Sequence, residues 1–450
     1  MTQLDPHYAL DEFDRPDFDA WRKKAEAMLR RPLADVATHV DGIDVPILRA
    51  DDDRPGTRPL ALGPGWTIVE PLDAVAPPEE VADAIEEAIA GGATVGWRTA
   101  STRVRLGLDA PAVPAPWLRS ELPLAWRADA AAPQIYEAHV RADIEPAAVL
   151  SDPLGSLVEL GARRRSLHEA YGRIASVTER VVGRGARTAT ALASGLPYHE
   201  AGLGPVAELG ATIGAALSHL RGLEAHAVSV PQAAAHLWLQ LGIGGDVFVE
   251  IAKLRAARRM WASVLRRAGA KPERVTIVAR TGRRRMAAVD VSVNLLRHTT
   301  QAFAAVVGGA DRIEIEPHRW PADAGVRRWA RNVHHLLAGE AWLGHVADPA
   351  EGSATIEQLT EALVDAAWPI AVQLSGEDPE AALRDWLAGL PTPAPESEAK
   401  QVGVDLYPPK QPEWLPWPGS PEPPDVPDAV VAMTPLRPVR RAAGFEEALR

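Results

Sequence analysis

The chain has 450 residues, of which 46% are hydrophobic and 24% charged, and it contains no cysteine. This composition is typical of a folded globular protein, and it excludes disulfides, zinc–thiolate sites, iron–sulfur clusters and cysteine nucleophiles. The formal net charge of −12 disfavours a general binder of nucleic acids or anionic membranes.

The N-terminal sequence MTQLDPHYALDEFDRPDF is acidic and lacks the apolar core of a secretory signal. No stretch approaches the roughly 20 apolar residues of a membrane span. We therefore expect a soluble, cytoplasmic protein with neither a nucleic-acid nor a membrane partner.

Residues 1–60 are predicted to form an N-terminal arm and a hairpin. Asp17 or Asp19 can cap a helix that carries Trp21 and Met28 on one face. Short alternating segments from residue 36 onwards, followed by DDDRPGTRP, predict the hairpin and an exposed turn.

Residues 61–393 alternate short apolar runs with amphipathic helices. The predicted helices cover 78–90, 204–223, 246–268, 291–307, 323–338 and 355–373, and the predicted strands cover 94–98, 186–192, 274–280 and 311–317. Repeated strand–helix order indicates an α/β protein with a parallel sheet. It favours a closed (β/α)8 TIM barrel over an open doubly wound sheet.

Residues 394–450 are rich in proline, which is excluded from helix interiors and sheet centres. This composition predicts an extended linker or belt. Because Trp414 and Trp417 are too apolar for a solvated tail, we expect the belt to lie on a surface of this chain or of a partner.

Two motifs resemble anion sites. LGIGGDVF (241–248) precedes a helix but lacks the GxGxxG and P-loop spacing, so its glycines are expected to serve a turn and close packing. RTGRRRM (280–286) follows a predicted strand, and its arginines can bind phosphates or carboxylates or lie in solvent.

Titratable residues suggest structural roles. His334 and His335 are adjacent on a helix and point about 100° apart, so they cannot share one ion. Glu314 and Glu316 alternate with isoleucines on a predicted strand and share one face. If that face is inward, the two carboxylates need a basic partner, for which the arginines at 283–285 are candidates.

Several motifs together resemble the methylmalonyl-CoA mutase family. IAKLRAARRMWA (251–262) is similar to a helix signature of these cobalamin-dependent acyl-CoA mutases. YHEAG (198–202), VNLLRHTTQAFAAVVGGAD (293–311) and the blocks within 327–368 follow in the family's order. The resemblance covers roughly residues 60–375, and it implies a barrel that holds an acyl-CoA along its axis.

The resemblance also implies a following domain whose DxHxxG loop ligates cobalt. No DxHxxG occurs in this chain, so we expect it to bind neither cobalamin nor a metal by itself and expect adenosylcobalamin in a partner subunit.

The catalytic members carry a Tyr-His pair that contacts substrate, and this pair falls on Leu196 and Pro197. Neither side chain can donate a hydrogen bond. Tyr198 and His199 are weaker alternative candidates for catalytic residues. ARTGRRRMAAVD (279–290) replaces the family's second substrate-facing stretch, and GWTIVEP (65–71) lacks its tyrosine.

The resulting hypothesis is a non-catalytic small subunit of a heterodimeric methylmalonyl-CoA mutase, an isomerase of propionate metabolism. Its partner would be the catalytic large subunit, and Trp21, Trp414 and Trp417 are candidate interface residues. Two alternatives stay open. One is an active substrate-binding barrel that uses a separate cobalamin-binding chain, and the other is an acyl-CoA-binding regulator.

Overall fold

The structure is a computed structural model. It describes residues 17–36, 38–45, 60, 62, 65–72, 78–118, 121–271, 274–390, 400–411, 414, 426, 428–444 and 446. Trp417 and the predicted turn at 51–59 lie outside the described residues.

The chain alternates strands and helices over most of its length. The strands are β1 (Thr38–Val40), β2 (Ile43–Val45), β3 (Thr67–Leu72), β4 (Val95–Thr99), β5 (Leu124–Arg127), β6 (Ala148–Ser151), β7 (Ala162–Arg163), β8 (Ala189–Ser194), β9 (Leu237–Ile243), β10 (Thr276–Thr281), β11 (Arg312–Glu314) and β12 (Val431–Ala432). The helices are α1 (Phe18–Leu29), α2 (Pro78–Ala90), α3 (Thr102–Arg105), α4 (Ala132–Arg141), α5 (Pro153–Leu160), α6 (Leu167–Gly183), α7 (Leu196–Glu200), α8 (Pro205–Glu224), α9 (Val230–Ala235), α10 (Val247–Arg267), α11 (Ser292–Val307), α12 (Ala324–His335), α13 (Ala354–Leu374) and α14 (Pro379–Gly389).

Eight parallel strands close into a barrel in the order β3-β4-β5-β6-β8-β9-β10-β11, and β11 pairs back onto β3. Each strand therefore lies beside the next barrel strand in the sequence, as right-handed βα units require. The predicted (β/α)8 barrel is confirmed, and the open doubly wound sheet is excluded.

The barrel strands are buried on both faces. Every residue of β8 and of β9 is buried, which explains why their sequences, ATALAS and LWLQLGI, do not alternate between apolar and polar. Outside the barrel, α8, α10 and α13 pack against one another, and α8 also packs on β8 and β9. These three helices contribute more members to the largest hydrophobic cluster than any other helices do.

The bore of the barrel is filled by side chains. Seven of the eight barrel strands contribute to one separate cluster, which can lie only inside the barrel; its largest members are Trp97, Leu150, Leu192, Trp238 and Val278. Trp97 and Trp238 are each 5% exposed. The bore is therefore a packed core rather than an open channel.

Segments outside the barrel cover its carboxyl-terminal end. The hairpin β1–β2 lies there, because Asp41 accepts a hydrogen bond from the Val206 amide at 2.8 Å. Part of the proline-rich region returns to the same end, where β12 pairs antiparallel with β7. Further along this region, the Val439 amide donates to the Glu200 carbonyl at 2.8 Å. The described part of the predicted belt thus lies on this chain.

No described helix combines the length and the apolar character needed to cross a bilayer. The predicted domain boundaries, 1–60, 61–393 and 394–450, stay predictions.

Replacing Trp238 with alanine removes the largest side chain on its side of the bore. We expect Trp238→Ala to lower the free energy of unfolding by about 3–5 kcal/mol, because it leaves a cavity that the closed strands cannot collapse around. Trp329→Ala is the matched control, since Trp329 lies on α12 with 54% of its surface exposed. Chemical denaturation followed by circular dichroism measures both, and equal losses would contradict a packed bore.

Candidate functional site

The carboxyl-terminal mouth of the barrel is where (β/α)8 proteins place their active sites. Here, Arg280 on β10 is in register with Glu314 on β11, and the two side chains form an ion pair at 3.7 Å. Glu316 lies one layer higher and contacts Arg280, and it also binds the Arg283 guanidinium at 2.9 Å. The prediction that the two carboxylates share an inward face and have a basic partner is confirmed. Arg280 adds a second partner.

A second group of ion pairs occupies the opposite side of the mouth. Arg105 binds Asp129 at 2.6 Å and Glu159 at 3.0 Å, and Arg127 binds Glu159 at 2.7 Å. Burial would raise the pKa of Glu159, but the Arg105 and Arg127 guanidiniums outweigh it and lower this pKa to about 2. Glu159 is therefore a permanently ionised structural anion rather than a group that exchanges protons near pH 7.

Glu314 is the mouth carboxyl whose pKa is raised, because burial outweighs the nearby Arg280 and Arg283 charges. A raised pKa is common among catalytic carboxyls. However, Glu314 is only 2% exposed and lies one layer deeper in the filled bore than Glu316. Its side chain is thus enclosed by protein, which favours a structural role.

The LPYHE segment forms α7, directly after β8. Leu196 is buried at its start, and neither Leu196 nor Pro197 offers a side-chain hydrogen bond. Tyr198 belongs to the cluster between the barrel and the outer helices, where its ring meets that of Trp386 edge-on at 5.9 Å. Burial raises the pKa of Tyr198, so its phenol stays protonated. The structure therefore places Tyr198 in the outer core.

His199 joins a buried chain of charged groups. Its Nδ1 lies 3.2 Å from Glu208, which binds Lys253 at 2.7 Å, and Lys253 also binds Glu250 at 2.6 Å. The Gly242 amide donates to the other Glu208 oxygen at 2.7 Å. Burial would raise the pKa of Glu208, but Lys253 and His199 lower it. This network fixes α7, α8 and α10 to the end of β9.

A cavity of about 240 Å³ adjoins this network, off the barrel axis and beneath the hairpin residues His39 and Val40. His199, Lys253 and Arg285 are among its lining residues. The cavity carries charges of both signs, and the acids Glu208 and Glu250 already bind Lys253.

The glycines of LGIGGDVF serve close packing, as predicted. A Cβ on Gly242 would come within 2.3 Å of the His199 ring, and one on Gly245 within 2.8 Å of Arg285. Asp246 then caps α10 by accepting from the Val249 amide at 3.3 Å. The motif is therefore a packed turn into a capped helix.

The predicted structural role of the paired histidines is confirmed. The Trp66 indole N–H donates to His334 Nδ1 at 3.0 Å, whereas His335 bonds the Gly91 carbonyl at 2.8 Å. Burial lowers the pKa of His334 to about 3, so this ring is neutral in the folded protein. The two rings serve different neighbours.

Helix α10 carries charges that sequence reasoning did not assign. Arg255 and Arg259 both bind Glu357 on α13, and Arg258 binds Asp311 before β11 at 2.7 Å. The segment 251–262 is almost wholly buried, so these basic residues act as internal ties between elements. Four basic residues within the otherwise apolar segment 251–262 were the available signal, because buried charges need partners.

Other residues of the site were also missed. Arg105, Arg127 and Glu159 lie in segments with no recognisable motif, and Lys253 was noted only as part of the IAKLRAARRMWA block. Arg105 and Glu159 are 54 positions apart in the sequence, and Lys253 and Glu208 are 45 apart. Spacing along the chain could not reveal such pairs.

The candidate interface tryptophans lie in different surroundings. Trp21 is on α1 and 40% exposed. Trp414 is half-buried and packs against a small cluster that includes Val289, Val404 and Ala442 of the same chain. Their role at a partner interface stays a prediction.

Comparison with known proteins agrees with this architecture. A family model described as methylmalonyl-CoA mutase matches residues 138–377. The methylmalonyl-CoA mutase small subunit of Streptomyces virginiae is 31% identical over 433 residues, which cover 84% of this chain and 67% of that protein. The chain belongs to the methylmalonyl-CoA mutase family.

Two further mutase relatives come from Propionibacterium freudenreichii subsp. shermanii. Its small subunit is 36% identical over 177 residues, covering 38% of this chain and 28% of that protein. Its large subunit is 34% identical over 182 residues, covering 39% of this chain and 25% of that protein. The matched part thus spans about two thirds of the Streptomyces protein and under a third of the Propionibacterium ones. The predicted family is confirmed.

The mouth of this mutase-family barrel does not suit adenosylcobalamin, the cofactor that the resemblance implies. Paired guanidiniums and carboxylates fill it, and His199, the imidazole of α7, is held against Glu208 and packed beside Gly282. Among the described residues, no group of three or more His, Asp or Glu side chains is arranged to hold a metal ion. We therefore derive no reaction step through the cofactor on this chain.

Neutral buried histidines make stability depend on pH. His334 has a folded-state pKa of about 3, below its usual 6.5, so the unfolded chain binds a proton first as pH falls below about 6.5. We expect its contribution to the free energy of unfolding to drop by about 2 kcal/mol at pH 5. Thermal unfolding of the wild type and His334→Gln between pH 7.5 and 5 measures this. The variant should have the shallower slope, and equal slopes would contradict the assignment.

Removing Lys253 should leave Glu208 and Glu250 as uncompensated buried carboxylates. We expect Lys253→Met to lower the free energy of unfolding by about 3–5 kcal/mol. The double variant Lys253→Met/Glu208→Gln should recover part of this loss, because it removes one of the unpaired charges. Additive effects of the two single changes, measured by denaturation, would contradict a coupled pair.

Proposed function

We propose that this chain is the non-catalytic barrel subunit of a heterodimeric, cytoplasmic, adenosylcobalamin-dependent methylmalonyl-CoA mutase. In this proposal, the partner large subunit interconverts methylmalonyl-CoA and succinyl-CoA within propionate metabolism. The observation that carries the proposal is the bore, which is closed by Trp97 and Trp238.

A barrel that isomerises an acyl-CoA along its axis needs a channel for the thioester arm and polar groups that face it. In this chain, the axial space holds the buried cluster that includes Trp97 and Trp238, and the Arg280–Glu314 ion pair lies above it. Opening it would expose the buried surface of two tryptophans, which costs several kcal/mol. The closed bore therefore supports a role other than substrate turnover.

The mouth supports the same role. Its carboxylates Glu159 and Glu316 each contact two guanidiniums, and the partners of Glu316 are Arg280 and Arg283. Bidentate or shared arginine pairs hold a carboxylate ionised and in one orientation. That arrangement suits a rigid scaffold, whereas proton transfer needs a group whose pKa lies near the working pH.

A scaffold subunit acts through its interface. Obligate interfaces bury about 2,000–5,000 Å² in total and are anchored by a few large apolar side chains. Trp21, Met28 and Leu29 are exposed on α1, at 40%, 86% and 46%. The relatives of this chain include proteins named as small and as large mutase subunits, which supports a large subunit as the partner.

The test uses the full-length chain with the large mutase subunit encoded in the same genome. We expect the two to co-purify as a stable complex, and we expect succinyl-CoA formation to require the large subunit. Trp21→Ala should weaken the complex by about tenfold or more, because exposed aromatic anchors dominate such interfaces. Trp329→Ala serves as the matched control on another face. Sedimentation and a coupled isomerase assay provide the measurements.

Two outcomes would overturn the proposal. Turnover by this chain with adenosylcobalamin and a separate cobalamin-binding protein would establish the active-barrel alternative. Calorimetric heat on titration with acyl-CoA esters, in the absence of any large-subunit complex, would establish a CoA-binding regulator.

A further inference from the structure

A small pocket beside the barrel mouth combines an apolar floor with a cationic rim. It lies between α5, α6 and the loop after α3, and it has a free volume of about 50 Å³. Five of its lining residues are arginines, whereas Asp129 is the one acid among them. This imbalance distinguishes it from the barrel mouth, where opposite charges are matched.

The floor of the pocket is apolar and rigid. Leu157, Leu160 and Ile174 line it, and they are 0%, 7% and 3% exposed. They project from α5 and α6, two helices that pack against each other. A floor of this kind binds an aliphatic group by removing it from water.

Two of the five arginines are already neutralised. Arg105 binds Asp129 and Glu159, and Arg163 contacts Glu380. Asp129 is further occupied, because its second oxygen accepts from the Asp152 amide at 2.9 Å. The acids near the pocket therefore belong to other pairs.

The other three arginines carry charge that the described structure compensates poorly. Arg164 donates to the Gly107 carbonyl at 2.7 Å, and its one acidic neighbour, Asp428, is 3.6 Å away with a side chain that is 78% exposed. Arg173 donates to the Ala130 carbonyl at 2.7 Å and to an amide oxygen, both neutral.

Arg165 is the least compensated member of the rim. Across the described residues, its guanidinium makes no salt bridge or side-chain hydrogen bond, and the acid that interacts with it electrostatically, Glu169, is not in direct contact with it. It lies over Gly107, where a Cβ would come within 3.0 Å of it, and the positive φ of +72° there also favours glycine. Burial and the neighbouring Arg165 charge lower the pKa of Arg173. An anion between the two guanidiniums would relieve that repulsion.

We propose that this pocket is a binding site for a short-chain aliphatic monocarboxylate. The carboxylate would bind Arg165 and Arg173, and the alkyl tail would lie on Leu157, Leu160 and Ile174. Guanidinium groups match the planar, bidentate geometry of a carboxylate.

The size of the pocket limits the tail. Its volume exceeds the roughly 10–15 Å³ that a cavity needs to hold one water molecule and is far below the roughly 150 Å³ of a cavity that admits benzene. A short unbranched chain fits these limits, whereas an aromatic ring does not. Inorganic phosphate would bind the arginines of the rim but would leave the apolar floor in contact with water.

The test is calorimetric titration of the full-length chain with butyrate, butan-1-ol and inorganic phosphate. We expect butyrate to bind, and the alcohol and phosphate to bind at least about tenfold more weakly, because each lacks one half of the recognition. Equal affinity for phosphate and butyrate would overturn the role of the floor. The absence of butyrate binding at about 10 mM would overturn the site.

Variants locate the binding. Arg165→Gln and Arg173→Gln should each weaken butyrate binding by about tenfold, since each removes a charged hydrogen bond. Ala170→Leu, at the pocket wall on α6, should fill the space and abolish binding. Arg180→Gln is the matched control, because Arg180 is on the same helix but pairs with Glu137 away from the pocket. Unchanged affinity in the first three variants would overturn the proposal, and thermal melts verify that each variant is folded.

Discussion

The requirement that every buried charge has a counter-charge shapes this barrel. Glu316 is almost completely buried at the mouth, and two guanidiniums, those of Arg280 and Arg283, hold it there. Lys253 is fully buried on α10, outside the barrel strands, and its charge is balanced by Glu208 and Glu250. Because an unpaired buried ion costs several kcal/mol, each pair couples the strands and helices that carry its members.

The ion pairs at the mouth occupy the carboxyl-terminal opening of the barrel. Ion pairs join Arg280 on β10 to Glu314 on β11, and Arg127 on β5 to Glu159 on the opposite side of the mouth, while Trp97 and Trp238 fill the space below. A substrate channel would have to displace both the ion pairs and the aromatic core.

Particular elements show how far the sequence could predict the structure. The long helices were placed within a few residues, as for α10 (Val247–Arg267, predicted at 246–268) and α11 (Ser292–Val307, predicted at 291–307). Strands β3, β5, β6 and β9 were missed. The last three are short apolar runs buried on both faces, which carry no periodic signal. Among the charged residues, strand alternation predicted that Glu314 and Glu316 share one face and need a basic partner among the arginines at 283–285. The Glu208–Lys253 and Arg105–Glu159 pairs were not predicted, because each joins residues more than 40 positions apart.

The sequence by itself determined the class of the fold, the family and the absence of side-chain hydrogen-bond donors at Leu196 and Pro197, because periodicity, motif order and side-chain chemistry are local properties. Only the tertiary structure decided that the bore is filled, that the arginines of the mouth neutralise its carboxylates, and that Arg165 and Arg173 come together over an apolar floor. Those outcomes depend on which side chains meet when the barrel closes, and closure brings together residues whose distance along the chain carries no information about their contact.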